Sequence, residues 1–174
     1  VEEVLRYTGY AFKTAFEDPD MITCVLTLPG SADFLIRGRK GAKNPFAPFN
    51  TGPKSSHLPN SRLETFIYKC KDLNNYVARQ LNQGRRFMTR GVNNAAHHSF
   101  IQTMPSRFTG NSLGFIQWEE DEGEYITEDS TILDWKFDKP DLPHLANIKD
   151  LDHTATRVQA EHRDDAIIEF MRYT

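Results

Sequence analysis

Cysteine is scarce: only Cys24 and Cys70 occur among the 174 residues. Both fall inside strand-like runs, which excludes a disulfide-stapled, loop-rich scaffold. The simplest reading is two buried thiols in a reducing compartment, with a Cys24–Cys70 disulfide as the alternative. Long apolar runs are missing as well. None approaches the roughly 18 residues of a membrane span, so no membrane partner is expected. No charged-then-apolar leader opens the sequence, and the expected location is the cytoplasm. Basic charge is not in excess either. The formal net charge of -3 leaves no electrostatic footprint for nucleic acid, whose binders carry a basic face. There is no glycine-rich phosphate loop, nucleophile elbow, CxxC pair or HExxH, and the enzyme classes built on those motifs lose support.

What is present is organised around residues 62–84, RLETFIYKCKDLNNYVARQLNQG. Over 63–70, Phe66, Tyr68 and Cys70 alternate with Thr65, Ile67 and Lys69, which predicts a strand. Asp72 stands where an N-cap belongs, with Tyr76, Val77, Gln80 and Leu81 at helical spacing behind it. Gly84 offers the positive φ that ends such a helix, so the helix is expected over 73–83. Further strands are expected at 85–90, 99–104 and 113–119. The order is strand, helix, then three strands, all in one mixed sheet. Its core is expected to bury Phe66, Tyr68, Val77, Leu81, Phe100, Phe115 and Ile116, with Leu81 as a core anchor.

The same unit recurs. Residues 151–158, LDHTATRV, have strand composition, and 163–173, RDDAIIEFMRY, have helical composition. The tail IIEFMRYT matches VEEVLRYT at the N-terminus in its Glu, Arg, Tyr and Thr. A repeat of this kind is a statement about architecture. It predicts a βαβββ module used more than once: a first over 1–60 lacking its opening strand, a second over 61–120, an acidic then proline-containing linker over 121–150, and the start of a further module over 151–174. In the first module, 1–7 is a short helix or the tail of one, stopped by Gly9, and strands are expected at 11–16, 21–28 and 32–36. Asp18-Pro19-Asp20 and Pro29-Gly30 have turn chemistry. The long loop over 37–60 carries Arg37, Arg39, Lys40, Lys43 and Lys54, a solvated loop or a steering patch for an anionic substrate. Residues 151–158 are a candidate strand donor for the first module, in cis or by segment exchange in a homodimer, the alternative being a tail that packs elsewhere and joins no ladder.

These features resemble the vicinal oxygen chelate superfamily (glyoxalase I, extradiol dioxygenases and their relatives), whose hallmark is paired βαβββ modules. LETFIYKCKDLNNYVARQLNQG, FIQTMPSRFTGNSLGFIQWEE and DLPHLANIKDLDH are similar to the N-terminal half of 4-hydroxyphenylpyruvate dioxygenase-like proteins. The resemblance implies an α+β fold, paired βαβββ modules forming a cupped mixed sheet with helices on the outside. It implies a non-haem Fe(II)-dependent dioxygenase that couples decarboxylation of an α-keto acid to hydroxylation by O2. The substrate implied is a small aromatic or α-keto acid. Two His and one Glu bind the iron in that family. By correspondence the first ligand is His153, in DLDHTATRV, and the others lie beyond this chain. The equivalent position in the second module is Thr65, beside Glu64, a poor iron ligand, and Glu119 closes its last strand. The chain is therefore expected to be mainly the non-catalytic half. The alternative is a small binding module whose cupped sheet holds an apolar or aromatic ligand without metal.

The remaining histidines are weaker candidates. His97 and His98 are adjacent, so on a strand their rings point to opposite faces and chelate jointly only with difficulty. His57 and His144 lie in proline-containing stretches, and His162 opens a helix beside Asp164 and Asp165. These three are expected to face solvent or cap. A structural histidine is the competing reading for His153.

Overall fold

A computed structural model describes residues 1–49 and 62–174. Its helices are α1 (Glu2–Tyr7), α2 (Leu73–Asn82) and α3 (Arg163–Met171). Its strands are β1 (Ala11–Glu17), β2 (Met21–Thr27), β3 (Phe34–Arg39), β4 (Thr65–Lys69), β5 (Asn93–Asn94), β6 (His98–Gln102), β7 (Ser112–Trp118) and β8 (Thr131–Ile132). The fold is α+β with two four-stranded sheets, one in each of two compact units. The first unit comprises Val1–Lys43 and Ile126–Thr154, the second Asn44–Tyr125 and Ala155–Thr174. Among the described residues, no helix is long and apolar enough to cross a membrane.

In the first unit the strand order is β3-β2-β1-β8, antiparallel throughout. The hairpin between β1 and β2 closes where Asp18 was expected to turn the chain. Its carboxylate accepts from the Asp20 and Met21 amides at 2.8 and 2.7 Å, an Asx turn. Gly30 takes φ 79° at the second expected turn, a conformation that costs a residue without Cβ nothing. Behind the sheet, α1 packs Leu5, with Val1 and Val4, against Tyr10, Cys24, Leu26 and Leu28. Phe34 stacks on Tyr10 at 4.5 Å, and Phe137 meets Phe12 edge-on at 5.2 Å. The Lys139 ammonium ties this corner together. It donates to the carbonyls of Leu5, Thr8 and Tyr10 at 3.3, 2.8 and 2.5 Å, satisfying acceptors that the end of α1 leaves open.

Gly9 does not act as a left-handed helix stop. The helix ends at Thr8 in an extended conformation, with Thr8 Oγ1 donating to the Val4 carbonyl at 2.6 Å. The glycine is needed for close approach: a Cβ there would lie 2.1 Å from the Ile148 carbonyl oxygen. Residues 151–158 also differ from expectation. They form no strand and join no ladder among the described residues, and the Leu151 amide instead donates to Ser31 Oγ at 2.9 Å.

In the second unit the order is β4-β7-β6-β5, with β4 parallel to β7 and the other pairs antiparallel. Asp72 caps α2 as predicted, accepting from the Asn75 amide at 3.0 Å. At the other end Gly84 adopts φ 76°, and the Gly84 and Arg85 amides return to the Leu81 and Gln80 carbonyls, a Schellman closure. The Leu73 amide, an orphan donor of the first turn, is taken by Gln117 Oε1 of β7 at 2.8 Å. Leu73 and Val77 then meet Ile101, Leu113 and Phe115 in a core flanked by Phe66, Cys70, Tyr76, Phe87, Val92 and Tyr173.

Three expectations fail here. The strand over 85–90 reduces to one bridge, Phe87 to Thr103, because Thr89 Oγ1 turns back onto the Gly91 carbonyl at 2.7 Å; pairing resumes only at β5. Leu81 is 47% exposed, and Gln80 takes the inward position, so the buried stripe of α2 runs Leu73, Tyr76, Val77, Gln80. Tyr68 is also exposed at the edge of the core, while Phe66 and Phe100 are only half-buried. Both cysteines are free thiols, Cys24 buried and Cys70 half-buried.

This packing separates two leucines of one helix. Leu73→Ala should lower the unfolding free energy by about 2–5 kcal/mol, the range for a fully buried aliphatic side chain. Leu81→Ala should change it by no more than about 0.5 kcal/mol. Urea denaturation of both variants checks the helical phase directly.

Candidate functional site

The register of the second sheet puts Thr65 beside Ser112 and Ile67 beside Gly114, and on the other flank Gln102 beside Gly114 and Phe100 beside Ile116. Residues paired this way share one face of a sheet. The core packs against the opposite face through Leu113, Phe115 and Ile101. The face opposite that core is built from a few side chains. A Cβ on Gly114 would come within 2.8 Å of the Phe100 ring and 3.1 Å of Ile67 Cγ1, so the absent side chain is what lets the ring lie across the strand. Ile67 is exposed beside it. Gln102 Nε2 donates to Thr65 Oγ1 at 2.6 Å, a bond that spans β7 and fixes both groups. Ser112 is fully buried, and its hydroxyl has no hydrogen-bond partner among the described residues.

The result is an apolar floor of Ile67 and Phe100 bordered by a hydroxyl–amide pair and an unsatisfied hydroxyl. A flat apolar group can pack on the floor, while Thr65 and Gln102 offer polar contacts at its edge. Thr65, Ser112, Gln102 and Phe100 bring no charge to this face, whereas Lys69, beside Ile116 on the same face, is ion-paired with Glu122, and His98 stands beside Trp118.

The chain matches no family model and no curated protein.

The residues singled out in the sequence do not converge. His153 is exposed in the unpaired stretch after Leu151, and its Nδ1 lies 2.5 Å from Asp152 Oδ2. Thr65 is engaged by Gln102 and Glu119 is exposed, its amide donating to the His97 carbonyl at 3.0 Å. His97 and His98 do turn to opposite sides. His98 is buried edge-on to Trp118 at 5.5 Å with Nδ1 3.1 Å from the Glu124 carbonyl, whereas His97 Nδ1 lies 3.8 Å from Asp121. His144 is exposed on the short turn Pro143–Asn147. His162 occupies the N-cap position of α3 without a side-chain cap bond and sits 5.4 Å from the Phe108 ring. Among the described residues no three His, Cys, Asp or Glu side chains gather as a metal site. Lys40 of the basic loop is paired with Glu17 at 2.8 Å, and Arg37 Nε donates to Thr23 Oγ1 at 3.3 Å. Lys54 and His57 lie outside the described residues.

Sequence reasoning passed over Gly114, Phe100 as a surface ring, and Ser112. The available signal was the glycine inside LGFIQW, since a glycine in a strand marks close approach or a bulge.

The Ser112 hydroxyl is a test of the site's economy. Ser112→Ala should leave stability unchanged or raise it by up to about 1–3 kcal/mol, because it removes a buried polar group that lacks a partner. Thermal and urea unfolding would show it. A loss above about 1 kcal/mol would mean that the hydroxyl is bonded in the folded protein.

Proposed function

We propose that this chain is the largely non-catalytic portion of a vicinal-oxygen-chelate protein of the 4-hydroxyphenylpyruvate dioxygenase kind. The observation that carries the reading is the order β4-α2-β5-β6-β7 in the second unit, strand, helix and three strands, closed by a parallel pairing of the first strand with the last. That is the module the sequence resemblance implies, and a cupped sheet with its helices outside would leave the Phe100 face for a substrate. The substrate class is a small aromatic or α-keto acid, which suits an apolar floor with a polar rim.

An Fe(II) centre does not fit this chain's described residues by themselves. His153 brings one imidazole and a neighbouring carboxylate in an exposed stretch, and two further donors are needed for the facial set. In this reading the chain contributes scaffold, the Phe100 face and one ligand from His153. The second reading, a metal-free binding module for an aromatic or apolar ligand, is favoured by one specific observation: the floor formed by Phe100 across Gly114 requires no metal to hold a ring.

Metal analysis of the natural protein after anaerobic loading with Fe(II) separates the two. The dioxygenase reading expects about one iron per chain and at least a tenfold weaker hold in His153→Ala, since even the outer-shell partners of metal ligands are worth about 10–100-fold in affinity. A natural protein that takes up no iron, and in which phenylpyruvate perturbs Phe100, leaves the binding module as its function.

A further inference from the structure

The second unit holds a cavity of about 250 Å³ on the α2 side of its sheet, away from Phe100. One wall is the turn over 105–110, through Arg107 and Phe108. The other is α3, through Asp165, Ile168 and Glu169, with Arg172 just past its end. These four stand at i, i+3, i+4 and i+7, so a single face of the helix supplies the wall. Sites for drug-sized ligands span roughly 300–1,000 Å³, so this volume suits a smaller metabolite.

Both walls are held in place. Ser106 Oγ accepts from the Phe108 and Thr109 amides at 3.1 and 3.3 Å and donates to Glu169 Oε2, so one hydroxyl shapes the turn and ties it to the helix. The His162 ring sits 5.4 Å from Phe108. The core fixes α3 through Phe170, edge-on to Tyr68 at 6.3 Å, and through the Tyr76 hydroxyl, which donates to the Tyr173 carbonyl at 2.6 Å. Arg107 places its guanidinium 4.6 Å from the centre of the Phe108 ring, a contact that restrains the group and leaves it N–H donors for a ligand.

Two cations and two anions thus border one cavity, together with a ring and an aliphatic side chain. Among the described residues no ion pair engages Arg107, Arg172 or Asp165, and Glu169 keeps Oε1 beyond its bond from Ser106. A dianion would be repelled by the two carboxylates, and a dication by the two guanidiniums. The complementary ligand carries one charge of each sign. We propose that this cavity binds a free α-amino acid with an apolar side chain. Arg107 and Arg172 take the α-carboxylate, which suits their planar, forked donors. Asp165 and Glu169 Oε1 take the α-ammonium, and Phe108 and Ile168 pack on the side chain. This site shares no residue with the Phe100 face and does not depend on the reading given to that face.

The test is calorimetric titration of the natural protein with leucine at neutral pH. Isocaproate, which lacks the amine, and isoamylamine, which lacks the carboxylate, are titrated beside it. The expected result is saturable binding of one leucine per chain, with each analogue weaker by about tenfold or more, the scale of losing a charge-assisted hydrogen bond. Asp165→Asn and Arg172→Gln should each weaken leucine by a similar factor. Both positions are exposed, so circular dichroism and Tm should stay those of the wild type. Absence of saturable leucine binding would overturn the proposal. So would isocaproate bound as tightly as leucine, which means an anion site only, or leucine binding that both variants leave unchanged, which places the ligand elsewhere.

Discussion

The second unit depends on one pairing, that of β4 with β7. The strands are parallel, and parallel neighbours must be joined by a crossover that carries the chain back to its starting edge. Here α2 begins that return, and the pairing can form only if the helix starts and stops in the right places. Asp72 and Gly84 set those ends, and Gln117 of β7 takes the Leu73 amide, so the strand that receives β4 also anchors the helix that follows it. The ladder is bracketed by the Cys70 amide on the Ile116 carbonyl and the Ser112 amide on the Glu64 carbonyl, each 2.8 Å. Once it is made, Thr65 and Ile67 are fixed beside Ser112 and Gly114, and the Phe100 face exists as a consequence.

The two faces of this sheet show different physics. The α2 face is a hydrophobic core in which Tyr76 and Phe115 rings meet at 4.5 Å. The other face places a glycine under an aromatic ring and leaves the buried Ser112 hydroxyl without a hydrogen-bond partner among the described residues, which costs stability. A locally costly arrangement of that kind is a reason to regard the face as a binding surface. The iron-ligand correspondence leads elsewhere, to His153, whose surroundings supply Asp152 and nothing more among the described residues.

Much of this was legible where short-range chemistry decides. The Asp18 turn, Gly30, the Asp72 cap and the Gly84 stop each rest on interactions within a few residues, and each stands where the sequence places it. What was not legible depends on distant partners. Leu81 follows Val77 at helical spacing, but the stripe that meets β6 and β7 is centred between Leu73 and Val77, and the sequence of α2 alone does not set that rotation. Residues 85–90 have strand composition and lose their ladder to a side-chain turn at Thr89. LDHTATRV has the composition of a strand, but composition supplies no neighbour to pair with. Gly9 has the residue type of a helix stop and serves to admit the Ile148 carbonyl, a contact across 139 positions of sequence. The site was missed for the same reason, since Thr65, Phe100, Gln102 and Ser112 come together only through strand register.

Native-state hydrogen exchange at single-residue resolution tests the β4–β7 pairing most directly. The Cys70 and Ser112 amides, at the two ends of the ladder, should exchange only through opening of the whole second unit, with the same denaturant dependence as the α2 core. Exchange of both at the rate of exposed loop amides, while α2 stays protected, would contradict the parallel pairing and remove the face that the functional reading rests on.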